Sequence, residues 1–107
     1  MIVYNVTINI EEDVHDSWLN WMKEEHLPMV MDTGKFVRYH MLKLLDRQED
    51  ETGITYAIQY FAESMDDYLD YLNEHAATLQ AETKKHFEGK FVAFRTLLEL
   101  DHTYEKI

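Results

Sequence analysis

Two arginines and a histidine are the residues whose types and spacing best suit chemistry on a small ligand. Arg38 and His40 stand two residues apart, and Arg95 lies in a similar segment near the C-terminus. A guanidinium holds carboxylates and related anions by paired hydrogen bonds, whereas an imidazole can transfer a proton near neutral pH. We predict that Arg38 and Arg95 bind a small anionic or aromatic molecule and that His40 is the acid–base group.

Strand alternation decides whether these side chains can meet. Residues two apart on a strand share a face, and the pattern predicts that Arg38, His40 and Arg95 project from the same side of one sheet. Three further polar residues are predicted to bind the ligand on that side, namely Asn5, Thr7 and Gln59. Structural ion pairs are the alternative, because Glu99 shares a predicted face with Arg95 and a second subunit could supply carboxylates.

Histidines on the predicted helices offer a second acid–base candidate. His26 and His75 occupy matching places after similar aromatic segments. We take His26 as this candidate, although a histidine near a helix C-terminus also interacts favourably with the helix dipole. His75, Glu82 and His86 can share one helix face, but the His-Glu-x-x-His spacing of helical zinc sites is absent. We predict neither a metal site nor a cofactor.

An internal repeat indicates which elements position these residues. Residues 34–37 read Gly-Lys-Phe-Val, and residues 89–92 repeat them. Two further matches keep the same order along the chain, 18–22 with 68–72 and 2–6 with 54–58. Each unit is too small to bury its own apolar face, so the two must share a core. We predict one domain over residues 1–107, with internal repeats at 1–46 and 53–101.

Hydrophobic periodicity predicts four strands and two helices. The predicted strands are residues 2–10, 36–46, 54–61 and 91–100. One helix is predicted from the N-cap Asp13 to about Leu27, where Pro28 ends or restarts it. The other is predicted from Ser64, which resembles a capping box with Asp67, to Phe87. The order βαββαβ predicts a ferredoxin-like α+β fold, with both helices on one face of a four-stranded antiparallel sheet.

Alternation also sorts the sheet into two faces. Residues predicted beneath the helices are apolar or aromatic, namely Tyr4, Val6, Ile8, Val37, Tyr39, Met41, Tyr56, Ile58, Tyr60, Val92, Phe94 and Leu98. The opposite face, with the two arginines, is still too apolar to be left open to water. We therefore predict that a second copy of the chain covers it in a C2 homodimer.

Charge and composition exclude several classes of partner. The net charge of −11 repels phosphate groups, so we expect neither nucleic acid nor an anionic membrane surface as a partner. No segment approaches the roughly 18 apolar residues that a membrane span needs. The chain has no cysteine, which excludes disulfides and thiolate chemistry and fits our expectation of a cytoplasmic protein.

Two segments carry a resemblance to known proteins. Residues 18–28, Trp-Leu-Asn-Trp-Met-Lys-Glu-Glu-His-Leu-Pro, followed by Gly-Lys-Phe at 34–36, resemble the dimeric α/β-barrel superfamily. The His-Leu-Pro segment and the closing strand Phe-Val-Ala-Phe-Arg-Thr at 91–96 resemble an uncharacterised bacterial family of about this length. The resemblance implies two subunits packed sheet to sheet, with pockets between sheet and helices or within the barrel.

The superfamily is varied in its chemistry. It includes cofactor-independent monooxygenases, muconolactone-type isomerases, haem-degrading enzymes and dye-type peroxidases. In the haem-degrading members an asparagine, a tryptophan and a helical histidine act together; Asn5 and His75 match, but Tyr68 and Tyr71 stand where the tryptophan would fall. The resemblance thus implies small-molecule binding, with a cofactor-independent oxygenase or isomerase step as its enzymatic form. The alternative is a non-catalytic interaction or regulatory protein whose barrel face serves only dimerisation.

Overall fold

The computed structural model describes residues 1–107 and forms a single four-stranded antiparallel sheet with helices between its strands. The elements are β1 (Ile2–Ile10), a 3₁₀ turn (Glu12–Val14), α1 (His15–Trp21), a π-helical turn (Met22–His26), α2 (Leu27–Asp32), β2 (Arg38–Lys43), β3 (Ile54–Ala62), α3 (Met65–Glu74), α4 (Ala76–Phe87) and β4 (Phe91–Glu99). The strand order is β2-β3-β1-β4, with every neighbouring pair antiparallel. The predicted ferredoxin-like βαββαβ fold is confirmed.

One face of the sheet packs against all the helices. The core contains alternate residues of the central strands, among them Tyr4, Ile8, Ile58 and Tyr60. It also contains residues of two helical runs, the first from α1 to α2 and the second from α3 to α4. Trp18 has no exposed surface, so its role is packing. Hydrophobic burial of this kind is the main stabilisation of a small domain. We refer to this side as the helix face and to the other as the open face.

The first helical run changes its hydrogen-bond spacing just before Pro28. Proline has no N–H and cannot donate to the carbonyl four residues back, as an α-helix requires. One residue earlier, the amide of Leu27 donates to the carbonyl of Met22, which widens the helix into a π turn. The helix then continues to Asp32, past its predicted end near Leu27. The predicted N-cap Asp13 is also wrong, because its carboxylate binds Lys90 Nζ at 2.8 Å.

The second helical run begins as predicted and then divides in two. Ser64 Oγ accepts a hydrogen bond from the amide of Asp67 at 3.2 Å, which confirms the cap. His75 leaves helical geometry, with φ of −126°, and separates α3 from α4. In α3 Tyr71 is buried, whereas Leu69 and Leu72 are exposed. Tyr71 and the half-buried Tyr68 both pack on the ring of Tyr4 in β1, so these two tyrosines hold α3 against the sheet.

A bulge opens β2. The amide of Val37 donates to the carbonyl of Phe61 at 2.8 Å, and Arg38 is also the ladder partner of Phe61. Two residues thus oppose one, which is the definition of a β-bulge. Phe36 before the bulge is buried in the core, while Val37 and Arg38 are both exposed. Val37 was predicted on the helix face, and the bulge is the reason that it is not.

β4 has no such bulge, and its alternation runs unbroken. In its register with β1, Val6 is paired with Arg95 and Ile8 with Ala93, so both β4 residues lie on the helix face. The prediction that Arg95 shares a face with Arg38 and His40 is therefore wrong. The prediction that Val92, Phe94 and Leu98 lie beneath the helices is wrong for the same reason. β4 is an edge strand, and Val92, Phe94 and Leu98 stay exposed there.

The two halves of the chain agree at their turns and diverge afterwards. Gly34 and Gly89 both have φ of 76°, a conformation that glycine adopts without strain. After them, the bulge shifts β2 by one residue relative to β4. The β2 strand also ends at Lys43, short of the predicted end at Asp46. The internal repeat stays a prediction. Its two units differ in which residues of their second strands, β2 and β4, face the helices.

Candidate functional site

A cavity of about 60 Å³ lies between the helix face and the two helical runs. Its lining is mostly apolar, and its polar side chains are Tyr4, His26, Tyr60, Tyr71, Gln80, Thr83 and Arg95. They come from β1, β3, β4, the π turn, α3 and α4, so the sheet and the helices position them together. No aspartate or glutamate lines the cavity, although the chain has 21 of them.

Arg95 brings a positive charge to this cavity. Its side chain lies at the β4 edge of the lining and is exposed to solvent. None of the ion pairs in the structure involves Arg95, so the predicted alternative partner Glu99 does not pair with it. A guanidinium without a carboxylate partner remains available to an anionic ligand.

Tyrosines pack together on the inner side of Arg95. The ring of Tyr4 lies 6.0 Å from that of Tyr60, 5.4 Å from Tyr68 and 5.9 Å from Tyr71. Burial raises the pKa of Tyr4, Tyr60 and Tyr71, and the charge of Arg95 opposes that rise in each. These phenols are therefore neutral at physiological pH and can donate hydrogen bonds into the cavity.

His26 forms part of the opposite wall, at the end of the π turn. Its ring stacks on Trp21 with centroids 5.0 Å apart, which holds the imidazole in place. Nδ1 is buried and has no hydrogen-bond partner. Burial lowers the pKa of His26 to about 4, so the ring is neutral at physiological pH. Arg95 and His26 are thus the two predicted site residues that line the cavity.

The remaining predicted residues meet on the open face instead. The ladder partners His40 and Gln59, Gln59 and Asn5, and Asn5 and Thr96 form one polar row across all four strands. Asn5 Nδ2 donates to Thr7 Oγ1 at 3.0 Å, and Asn5 Oδ1 is buried without a partner. The structure therefore brings together Asn5, Thr7, Gln59 and His40, as predicted, and separates them from Arg95 and His26.

Arg38 lies at the edge of this row. Its guanidinium carbon stands 4.2 Å from the centroid of the Phe61 ring, a cation–π contact. The ring of His40 packs against the edge of the same phenylalanine, with centroids 5.0 Å apart. The side chains of Arg38 and His40 are both exposed. Like Arg95, Arg38 takes part in no ion pair. A second molecule on this face would meet both side chains.

Sequence reasoning missed five of the polar lining residues, Tyr4, Tyr60, Tyr71, Gln80 and Thr83. Tyr4 was predicted beneath the helices, and its position is confirmed, but its hydroxyl was treated as core. Gln80 and Thr83 stand three apart on α4, the spacing of one helix face, and Gln80 follows the buried Leu79. A polar residue next to an apolar residue that faces the core was the sequence signal that could have identified Gln80.

The structure has neither a cluster of metal-binding side chains nor a helix that could span a membrane. No three histidine, aspartate or glutamate side chains are placed to hold a metal ion. His75 and His86, two of the three helical residues considered as metal ligands, each lie beside a nearby carboxylate. The distances are 3.8 Å from His75 to Glu74 and 4.0 Å from His86 to Glu82. No helix combines the length and apolarity needed to cross a membrane.

The fold is similar to those of several solved structures. An ethyl tert-butyl ether (EthD) family protein from Bacillus halodurans C-125 shares 9% identity over 94% of this chain and 100% of its own, with a TM-score of 0.70. A dimeric ferredoxin-like protein from an uncultured marine organism shares 13% identity over 99% and 100%, with a TM-score of 0.68. SnoaB, a cofactor-independent oxygenase from Streptomyces nogalater, shares 12% identity over 98% and 97%, with a TM-score of 0.64. At such identities the likeness shows the fold alone.

Family membership follows from the sequence itself. Among curated proteins, none matches this chain. The sequence model of the family DUF4286, a domain of unknown function, matches residues 1–100. The predicted membership in an uncharacterised family is confirmed, and the fold is ferredoxin-like. The chain belongs to the DUF4286 family.

Proposed function

We propose that this protein binds a small organic anion in the cavity of the helix face, with Arg95 holding the anionic group. The observation that carries the proposal is an arginine without an ion-pair partner in a lining that has no carboxylate. The whole chain carries −11, so a bound anion needs a local positive charge such as that of Arg95. The tyrosines and aliphatic residues of the cavity suit an aromatic or unsaturated carbon skeleton.

The enzymatic form of this proposal is a cofactor-independent oxygenase or isomerase step on the bound anion. The similarity in fold to SnoaB, named as a cofactor-independent oxygenase, supports it as an analogy. Arg95 would stabilise negative charge that develops on the ligand, and of the two alternative acid–base candidates it is His26 that lines the cavity. His40 lies on the opposite face, so a catalytic role for it would need a ligand bound there.

We also propose that the open face pairs with the same face of a second copy. Val92 and Phe94 are 70% and 63% exposed on β4, and Leu42 is 48% exposed on β2. Such apolar residues around a polar row have the mixed composition of protein interfaces. The similarity to a protein described as dimeric supports the pairing. In the alternative function, a non-catalytic interaction protein, this face serves dimerisation and the cavity stays empty.

Native mass spectrometry of protein taken from its own cells provides the first test, because a retained small molecule would appear as added mass.

Calorimetric titration with benzoate, phenylacetate and pyruvate provides the second test. We expect saturable binding that Arg95→Met weakens by about 2 kcal/mol, roughly 30-fold, since it deletes a charge-assisted hydrogen bond. Arg38→Met tests the open face in the same titration and should change little.

Two outcomes would contradict the cavity proposal. One is the absence of saturable binding for all three acids, together with no retained molecule. The other is a loss of binding in Arg38→Met that equals or exceeds the loss in Arg95→Met, which would move the site to the open face. For the dimer, sedimentation equilibrium should give twice the chain mass of 12.9 kDa at micromolar concentration. A stable monomer would refute the pairing.

A further inference from the structure

We infer that His26 serves as a neutral hydrogen-bond donor to a carbonyl oxygen of the ligand, so that the cavity selects oxo acids over plain carboxylic acids. The inference rests on the proposed function of the cavity and names its ligand class. It replaces the predicted acid–base role of His26 with that of a specificity-determining donor.

The placement of His26 is the first step. The ring lines the cavity and is stacked on Trp21, at the end of the π turn that Pro28 imposes. Neither ring nitrogen is hydrogen-bonded, and Nδ1 is the one that is fully buried. Nε2 is therefore the nitrogen that remains accessible. π turns of this kind occur frequently at functional sites.

The position of the ring proton is the second step. A neutral imidazole carries one proton, on either Nδ1 or Nε2. On Nδ1 it would create a buried N–H without an acceptor, and such orphaned donors are rarer and more costly in proteins than bare acceptors. On Nε2 the N–H is accessible and can donate to water or to a ligand. The structure thus favours the Nε2–H tautomer, with a bare nitrogen on the buried side.

The ligand class is the third step. The Nε2–H group donates, as does the guanidinium of Arg95, and no carboxylate in the lining accepts. Neither donor has a hydrogen-bond partner within the protein, so a ligand that presents an acceptor to each gains two hydrogen bonds on binding. An anionic oxygen satisfies Arg95, and a neutral carbonyl oxygen satisfies His26. Carboxylic acids with a second, ketonic carbonyl have both.

Nitrogen-15 NMR of the ligand-free protein tests the tautomer directly. The two ring nitrogens of His26 are assigned by the loss of their signals in His26→Phe. Between about pH 6 and 8 we expect a protonated Nε2 and an unprotonated Nδ1. A protonated Nδ1 would overturn the inference, and it would leave anion binding at Arg95 untouched.

Two pairs of probe acids test the selectivity. Each pair differs only in a ketone: benzoylformate against phenylacetate, and 3-benzoylpropionate against 4-phenylbutyrate. Because the pairs place the ketone at different distances from the carboxylate, we expect the oxo member to bind about tenfold more tightly in at least one pair. His26→Phe should erase this preference while both members still bind. His26→Gln retains a side-chain N–H and should recover part of the preference.

The exposed His102→Phe in the C-terminal segment is the matched control and should keep the preference. Circular dichroism melts of His26→Phe and His26→Gln establish that both are folded. Equal affinities within both pairs, with binding still lost in Arg95→Met, would overturn the inference alone. The same holds for a preference that survives in His26→Phe. Failure of all four acids to bind the native protein would overturn the inference and the proposed cavity function together.

Discussion

The two sides of the sheet each have one arginine and one histidine of the predicted site, and the two histidines lie in opposite surroundings. On the helix face, Arg95 borders a cavity among tyrosines, and His26 of the π turn is largely buried. On the open face, Arg38 and His40 are exposed and pack on Phe61. The comparison teaches that burial separates the two histidines and leaves the two arginines alike: dehydration lowers the pKa of His26, whereas Arg95 and Arg38 are both exposed to solvent.

The bulge at Val37 is the structural origin of this division. Without it, the alternation that begins at the buried Phe36 would direct Arg38 to the helix face. β4 begins in the same way at Phe91 and continues without interruption to Arg95. One inserted residue in one strand therefore decides which arginine faces the helices. The predictions that follow use this contrast, in order of decreasing effect.

The largest effect concerns pH and the two histidines. The folded pKa of His26 is about 4 and the ordinary value is 6.5, so the unfolded chain binds more protons between them. The free energy of unfolding should therefore fall as pH drops from about 6.5 to about 4, by about 3 kcal/mol, and this stability is fully present above that range. Urea denaturation as a function of pH measures it. His26→Phe should remove this part of the pH dependence, and His40→Phe should retain it; identical profiles for native protein and His26→Phe would contradict the comparison.

The second effect separates two adjacent residues of β4. Phe94 faces outward and Arg95 faces the cavity. Phe94→Glu should weaken the proposed dimer by about 2 kcal/mol or more, because it removes a large apolar contact and buries a charge. Sedimentation measures the dimer, and titration with benzoate should give an unchanged affinity. An unaffected dimer would place the interface elsewhere.

The third effect compares the two halves at their turns. Gly34 and Gly89 share φ of 76°, and a Cβ at either would meet open space. Alanine at each position should therefore cost about 1 kcal/mol through backbone strain alone. Equal losses in the two thermal melts would support the repeat. A loss confined to one variant would argue that the two turns are not equivalent.

The smallest effect concerns Arg38. Arg38→Met keeps the aliphatic stem over Phe61 and deletes the cation, so unfolding should become easier by only about 0.5–1 kcal/mol. Urea denaturation measures the change, with Arg38→Lys as the variant that keeps the charge. A loss well above 2 kcal/mol would mean that Arg38 has a structural role comparable to the core.

Most of the fold could be predicted because it depends on local patterns. Alternation identified β1 and β3, the Ser64 cap identified the start of α3, and Gly34 and Gly89 marked the ends of the helical segments. The site was predicted less well. His26 and Arg95 were identified by residue type, but Arg95 was assigned to the wrong face, and Gln80 and Thr83 were missed. Each of these errors concerns packing between distant segments.

The sequence by itself determined the order of elements, the inward faces of β1 and β3 and the acidic charge, since periodicity, capping and composition act over a few neighbouring residues. The tertiary structure alone decided where the arginines point and which histidine loses its water. The bulge at Val37 depends on how β2 meets Phe61, and the low pKa of His26 depends on the burial that its surroundings impose. Both properties arise from contacts between segments far apart in the chain, for which a local pattern carries no signal.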